Sequence, residues 1–402
     1  MTAPSRIGVT GATGQVGSRL LRHLHVAGFD VVAAVRNPLG AALCDAAAPG
    51  CEIRIGSLEA ENGRPHLLDD CDAIINCAIE SSGGIPRRAY SRNRRLVDGL
   101  LAARALKWLV HVSTVAVYGE LIEPHADADH ARRHPRPSSE YGRSKLDVER
   151  YARRRTRARG VGCTVVRLGH VYGAGIARSR EIIEFARDPR FRLPFGGRLP
   201  SNAVHEDTVG ASIVALMRAG ARDGVVGLAE SGRTWRDIFD WHTSGLGLPP
   251  VEPMSDEESS ARREAMRGAS IPREAAAWLR ELPIKALVRS PATFDLALRV
   301  LVKTPDGMTK RVSDVNRRLG ARAQVAQAAA RDSAPIVPPL YFSAGMPGPL
   351  CDVPPPAAGL GSEMQRAREL QAWYDLWRAP RMRAATVAPT DGSAAGEPRD
   401  WA

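Results

Sequence analysis

Thr10-Gly11-Ala12-Thr13-Gly14-Gln15-Val16-Gly17 is the stretch that decides the fold. It follows the short apolar run Ile7 to Thr10 and opens into a helical pattern, Val16, Leu20, Leu21 and Leu24, so its glycines fall between a strand and a helix. Glycine is needed there because the chain must turn tightly, let its backbone approach a phosphate, and pack helix against strand. The amides of Thr13, Gly14, Gln15, Val16 and Gly17 then line a helix N-terminus, the place a dinucleotide's pyrophosphate is expected to occupy.

Working outward, the same alternation continues to about residue 170. Short runs at Val31 to Val35, Ile53 to Ile55, Ala73 to Cys77, Leu109 to Ser113 and Thr164 to Leu168 alternate with amphipathic stretches such as Leu96, Leu100, Leu101 and Ala105. This is the βαβ signature of a parallel sheet covered by helices. The expected fold class is α/β: a doubly wound parallel Rossmann sheet over 1–170, a smaller substrate lobe over 171–250, and an extra, mostly helical C-terminal extension. That extension divides into a helical part (251–332, with candidate helices Glu257 to Met266, Arg273 to Leu282 and Phe294 to Val302), a Pro/Gly-rich linker (333–362), a terminal helix (363–382) and a disordered tail (383–402).

The chain has 402 residues and is 44% hydrophobic, enough for a substantial core. No apolar run approaches the ~20 residues of a membrane-spanning helix, and the N-terminal stretch lacks the apolar core of a secretory signal, so a cytoplasmic location is expected. The six cysteines form no C-x-x-C pair and no metal spacing, which reads as reduced thiols and no bound metal. A net charge of +12 raises nucleic acid as a partner, yet the arginines are spread out and no reader motif accompanies them. An anionic small ligand is the better reading. Lysine is scarce, with only Lys107, Lys145, Lys285, Lys303 and Lys310, so a lysine inside a motif carries weight.

Tyr141-Gly142-Arg143-Ser144-Lys145 places a phenol and an ammonium four residues apart, on one face of a helix. The expectation is that the positive charge lowers the phenol's pKa, so that Tyr141 exchanges a proton with an alcohol or carbonyl near neutral pH. At the end of the second strand, where an acidic residue would hold the ribose diol of NAD, stand Arg36-Asn37-Pro38; Asp30 lies at the wrong end. A guanidinium suits a 2′-phosphate, so NADP is the expected cofactor, with NAD as the alternative.

Over roughly residues 5 to 250 the sequence resembles the extended short-chain dehydrogenase/reductases, the NAD-dependent epimerase/dehydratase superfamily. The pieces that carry the resemblance are TGATGQVG at 10 to 17, Asn76-Cys77-Ala78, Ser113-Thr114-Val115-Ala116-Val117-Tyr118-Gly119, Tyr141 with Lys145, Arg167-Leu168-Gly169-His170-Val171-Tyr172-Gly173, and Val204-His205-Glu206-Asp207. The resemblance implies that Thr114 hydrogen-bonds the reacting oxygen, Tyr141 transfers the proton, and Lys145 also holds the nicotinamide ribose. It implies too that Asn76 and Ala78 line the cofactor and that Asn93 supports the site. Ser113, Tyr118, His170 and Asn202 fall where substrate contacts are expected.

Departures from the family pattern narrow the chemistry. Val115-Ala116 follow Thr114 where dehydratases of the superfamily usually carry an Asp-Glu pair, and the Asn and Arg that bind a nucleotide sugar are replaced by His170 and Asn202. The leading expectation is an oxidoreductase that interconverts a secondary alcohol and a carbonyl on a small molecule. A nucleotide-sugar epimerase is the alternative, and a non-catalytic dinucleotide sensor the second; the intact Thr114, Tyr141 and Lys145 argue against the sensor. His111, His170 and His205 read as buried hydrogen-bonding groups more than as acid/base groups. Trp373 and Trp377 read as packing for the tail helix. The run Lys285 to Lys303 reads as a core or dimer helix, with peripheral membrane contact as the minor alternative.

Overall fold

The computed structural model describes residues 3–58, 67–79, 86–119, 135–137, 139–220, 223–230, 232–261, 366 and 368–373. Candidate helices Arg273 to Leu282 and Phe294 to Val302, the linker 333–362, Cys351, Trp377, the run Lys285 to Lys303 and the tail 383–402 lie outside the described residues.

Seven strands form one parallel sheet: β1 (Arg6–Thr10), β2 (Asp30–Val35), β3 (Glu52–Ile55), β4 (Ala73–Asn76), β5 (Trp108–Thr114), β6 (Gly162–Leu168) and β9 (Gly224–Leu228). Their order across the sheet is β3-β2-β1-β4-β5-β6-β9. The helices α1 (Gln15–Val26), α2 (Pro38–Ala47), α3 (Pro86–Leu101), α4 (Glu140–Ala158) and α6 (Glu206–Ala219) cover it.

Side-chain alternation along each strand feeds two cores. Val31, Ala33 and Val35 join Ile7, Val9 and Ile75 on one face, against Leu20, Leu21 and Leu24 of α1 and Val209, Ile213 and Met217 of α6. Val32 and Ala34 join Ile74 and Leu109 on the other, against Val97 and Leu100 of α3 and Val148 and Ala152 of α4. Burial on both faces explains why these strands read as continuous apolar runs. In the register Thr10 pairs with Asn76, and β1 and β4 are neighbours where the winding reverses, so a crevice opens at their carboxyl ends.

The smaller lobe holds the two-stranded parallel pair β7 (His170–Tyr172) and β8 (Ala203–His205), with α5 (Ala177–Arg187) and α7 (Trp235–Gly245). Its core is aromatic, built from Tyr172, Phe191, Trp235 and Phe239. The boundary at residue 170 needs correction. After β8 the chain returns to the sheet: α6 packs on α1, and β9 pairs with β6 from Thr164↔Gly224 to Leu168↔Leu228. The strand VVGL is short and half-buried, and its sequence offers no turn-bounded β-branched run long enough to announce it.

Residue 366 and residues 368–373 are helical and lie against the smaller lobe. Leu370 is fully buried against Ile183, with Trp373 beside it, and Arg366 Nε donates to Asp207 Oδ2 at 3.1 Å. The tail helix therefore packs on the body, as Trp373 suggested. Among the described residues no helix is long and apolar enough to cross a membrane.

Candidate active site

The crevice is built from backbone first. Gly11 adopts a φ of +65°, and a Cβ there would stand 2.6 Å from the amide nitrogen of Ala78. A Cβ on Gly17 would meet the Gly11 carbonyl oxygen at 2.0 Å, so α1 can start this close to β1 only with glycine. Gly14 caps α1 without a side-chain hydrogen bond, leaving the first-turn amides to face whatever lies at the helix N-terminus. That bare glycine cradle fits the pyrophosphate of a dinucleotide.

The neighbouring turn is braced by buried polar groups. Thr10 Oγ1 donates to Asn76 Oδ1 at 2.8 Å, the Ala78 amide donates to the same oxygen at 3.2 Å, and Asn76 Nδ2 lies 3.1 Å from His111 Nδ1. Asn76 thus shapes the cradle from behind, 1% exposed, while Ala78 is half-buried at its edge. Thr13 packs beside the second turn, where its methyl carbon lies 3.3 Å from the position of a Cβ on Gly40. Arg36 is exposed at the end of β2, immediately before Asn37, whose side chain accepts the Gly40 amide and starts α2. Asp30 is at the opposite end of that strand, 2.9 Å from Arg6.

Across the crevice, β5 ends in Thr114, which caps the short 3₁₀ turn Val115–Tyr118 by accepting the Ala116 amide at 3.2 Å. α4 approaches that turn so closely that a Cβ on Gly142 would lie 2.3 Å from the Ala116 oxygen. This packing brings Tyr141 to Thr114. Tyr141 is 54% exposed, and its hydroxyl is hydrogen-bonded to Thr114.

The expected lowering of the phenol pKa is not what the structure shows. Burial of the hydroxyl end raises it, and the Thr114 hydrogen bond offsets that only in part. Lys145 is 5% exposed and gives its ammonium to the Val112 carbonyl at 3.1 Å. Burial lowers its own pKa to about 8, against the pull of Cys77 and Glu149. Cys77 stays a thiol, pushed up to about 12 by burial.

Of the substrate candidates, Ser113 is buried and donates its hydroxyl to Glu149, and Tyr118 lies under the Arg167 guanidinium, so both belong to a buried network beneath Thr114. Asn202 is buried with a φ of +47°, and its carbonyl accepts the His170 amide at 2.9 Å. His170 faces Trp235 with ring centroids 5.5 Å apart, and burial holds its pKa down near 3. His111 and His205 are pushed to about 3 for the same reason. Neutral imidazoles of this kind hydrogen-bond; they do not exchange protons near pH 7. Asn93 is buried on α3.

Contacts that motif reading did not foresee tie α1 to α6 and to the smaller lobe. Gln15 Oε1 accepts the Ala177 amide at 3.2 Å, Arg19 donates to buried Glu206 at 2.6 Å, and a second Arg19 nitrogen donates to the Ala174 carbonyl at 2.7 Å. The one sequence hint was spacing, since Gln15 and Arg19 stand one helical turn apart and share a face of α1.

A model of the NAD dependent epimerase/dehydratase family matches residues 7–188. Over those residues the chain is similar to this family. The match spans the glycine cradle, Thr114, Tyr141 and Lys145. Two curated relatives are similar in sequence. One is a dTDP-6-deoxy-L-talose 4-dehydrogenase (NAD(P)(+)) of Kitasatospora kifunensis, 31% identical over 184 residues, covering 43% of this chain and 55% of the relative. The other is a 4-hydroxy-2-methyl-3-oxo-4-farnesyl-3,4-dihydroquinoline-1-oxide ketoreductase of Stigmatella aurantiaca, 30% identical over 205 residues, covering 49% of this chain and 60% of the relative. The chain therefore spans less than two thirds of either relative's length. In fold it is similar to the Thermus thermophilus UDP-glucose 4-epimerase in complex with NAD, with a TM-score of 0.50 and 22% identity over 62% of this chain and 85% of that one.

Proposed function

We propose that this protein is an NADP(H)-dependent oxidoreductase that interconverts a secondary alcohol and a carbonyl on a small-molecule substrate. The observation that carries the reading is the Thr114–Tyr141 hydrogen bond at the carboxyl end of β5, with Lys145 one helical turn behind. Gly11, Thr13, Gly14, Gln15, Val16 and Gly17 hold the dinucleotide, Ala78 borders it, and Lys145 reaches its ribose. When bound, the nicotinamide supplies or accepts the hydride.

The chain's own groups then handle the oxygen and its proton. Thr114 donates its hydroxyl hydrogen toward Tyr141, a direction that stabilises the phenolate. A phenol with a raised pKa is protonated at neutral pH, so Tyr141 is set to give its proton to a carbonyl oxygen as that oxygen gains charge. Reduction is the direction this protonation state favours. Arg36, beside the adenosine end of the cradle, selects the 2′-phosphate. The two curated relatives, a dehydrogenase and a ketoreductase, support alcohol–carbonyl chemistry.

An epimerase returns its nicotinamide to the starting redox state within each turnover, whereas a reductase consumes it. The deciding experiment incubates the purified protein with NADPH and a panel of ketones and follows the nicotinamide. Consumption of one NADPH per alcohol formed is expected. Interconversion of nucleotide-sugar epimers with no net change in NADPH would replace this reading with the epimerase.

A further inference from the structure

Beneath Thr114 lies a buried ion pair that the proposed chemistry leaves without a task. Glu149 on α4 is 2% exposed and Arg167 on β6 is 4% exposed. Arg167 Nη2 donates to Glu149 Oε2 at 2.7 Å, and its Nε lies 3.2 Å from both carboxylate oxygens. Ser113, the residue before Thr114, donates its hydroxyl to the same carboxylate. The guanidinium carbon stands 4.9 Å from the ring centroid of Tyr118, the last residue of the turn that Thr114 caps. One carboxylate is thereby tied to both ends of the Thr114 turn.

Glu149 also sits four residues after Lys145 on the same helix, hence on the same face. The groups that act on the buried Lys145 ammonium are the Cys77 thiol at the end of β4, the His111 ring and the Val112 carbonyl of β5, and Glu149. Burial keeps Cys77 a neutral thiol and His111 a neutral ring. Among the described residues, that leaves Glu149 as the charged acid acting on Lys145.

We propose that Glu149, clamped by Arg167 and Ser113, is a positioning residue that keeps Lys145 an ammonium and fixes Thr114 at Tyr141. Arg167 holds the carboxylate through Nη2 and Nε, and its stacking on Tyr118 keeps the pair's geometry fixed. A buried pair with a purely structural task can be exchanged for uncharged groups with little consequence for its neighbours. A pair with this task cannot, because Lys145 is then left without the charged acid among the groups that act on it. The inference rests on the proposed role of Lys145, but its test needs neither cofactor nor substrate.

Lysine labelled with carbon-13 at Cε gives one signal for each of the five lysines, and Lys145→Arg identifies the signal of Lys145. In the wild type that signal is expected to titrate with a midpoint near 8. Glu149→Gln is expected to shift the midpoint down, raising the ionisation constant at least about threefold, while Ser113→Ala, which leaves the charge in place, keeps it where it was. Should Glu149→Gln fail to fold because Arg167 is left unpaired, the Glu149→Gln/Arg167→Met double variant removes both charges and is expected to show the same downward shift. An unmoved Lys145 midpoint in the folded single or double variant would overturn the proposal. That outcome would leave the oxidoreductase reading intact, since NADPH consumption is measured separately.

Discussion

At the level of single residues, the site divides its work between an exposed phenol and a buried ammonium. Tyr141 reaches out of the crevice to Thr114, and Lys145, four residues on, is turned inward to the Val112 carbonyl. Helical spacing placed them on one face, but it could not say that desolvation would raise the phenol's pKa and lower the ammonium's. Arg36 presents the opposite case, an exposed side chain whose meaning comes from position: it ends β2 next to the turn that packs on Thr13. Binding of a 2′-phosphate there predicts that NADPH is bound in preference to NADH and that Arg36→Asp abolishes the preference. Loss of the contact costs about 1.5 to 3 kcal/mol, the range for hydrogen bonds to charged groups, and the new carboxylate adds repulsion. Fluorescence titration of both nucleotides against both proteins checks this. Equal affinities in the wild type, or a preference for NADPH that survives the change, would remove Arg36 from cofactor selection.

At the level of elements, what was legible in sequence was what local chemistry dictates. The glycine cradle, the six strands from β1 to β6 and the helical placement of Tyr141 and Lys145 follow from turn requirements, from burial on both faces of a parallel sheet, and from a period of 3.6 residues. Three features had no local signature. β9 is short and half-buried, and belongs to the sheet only because Leu228 and its neighbours pair with β6. Ser113 and Tyr118 sit in a motif that suggests substrate contact, but which way a side chain points is set by Glu149 and Arg167, far from them in sequence. The docking of the tail helix depends on Leu370 finding Ile183, almost two hundred residues earlier in the chain. That contact predicts that Leu370→Ala destabilises the full-length protein by about 2 to 5 kcal/mol, the range for emptying a buried leucine site. Denaturant unfolding measures it, and a change within experimental error would show that the segment rests on the body without stabilising it.

Across the whole molecule, two lobes meet at the cofactor helix. α1 carries the cradle at its N-terminus and, through Gln15 and Arg19, holds the loop at Ala174 and Ala177 of the smaller lobe. Glu206, which receives Arg19, is buried deeply enough to be raised to about 7 despite that partner. The tail helix adds Arg366 to the neighbouring Asp207, so the far end of the chain closes against the same seam. The proposed function makes the Thr114–Tyr141 pair the group that handles the proton of the reacting oxygen. The most direct measurement is the turnover of Tyr141→Phe in NADPH-dependent carbonyl reduction, alongside its NADPH affinity. Turnover should fall at least about 100-fold, the scale of a general acid's contribution, with NADPH affinity and melting temperature unchanged. Near-wild-type turnover in a folded, NADPH-binding Tyr141→Phe protein would contradict the assignment of Tyr141 as the proton donor.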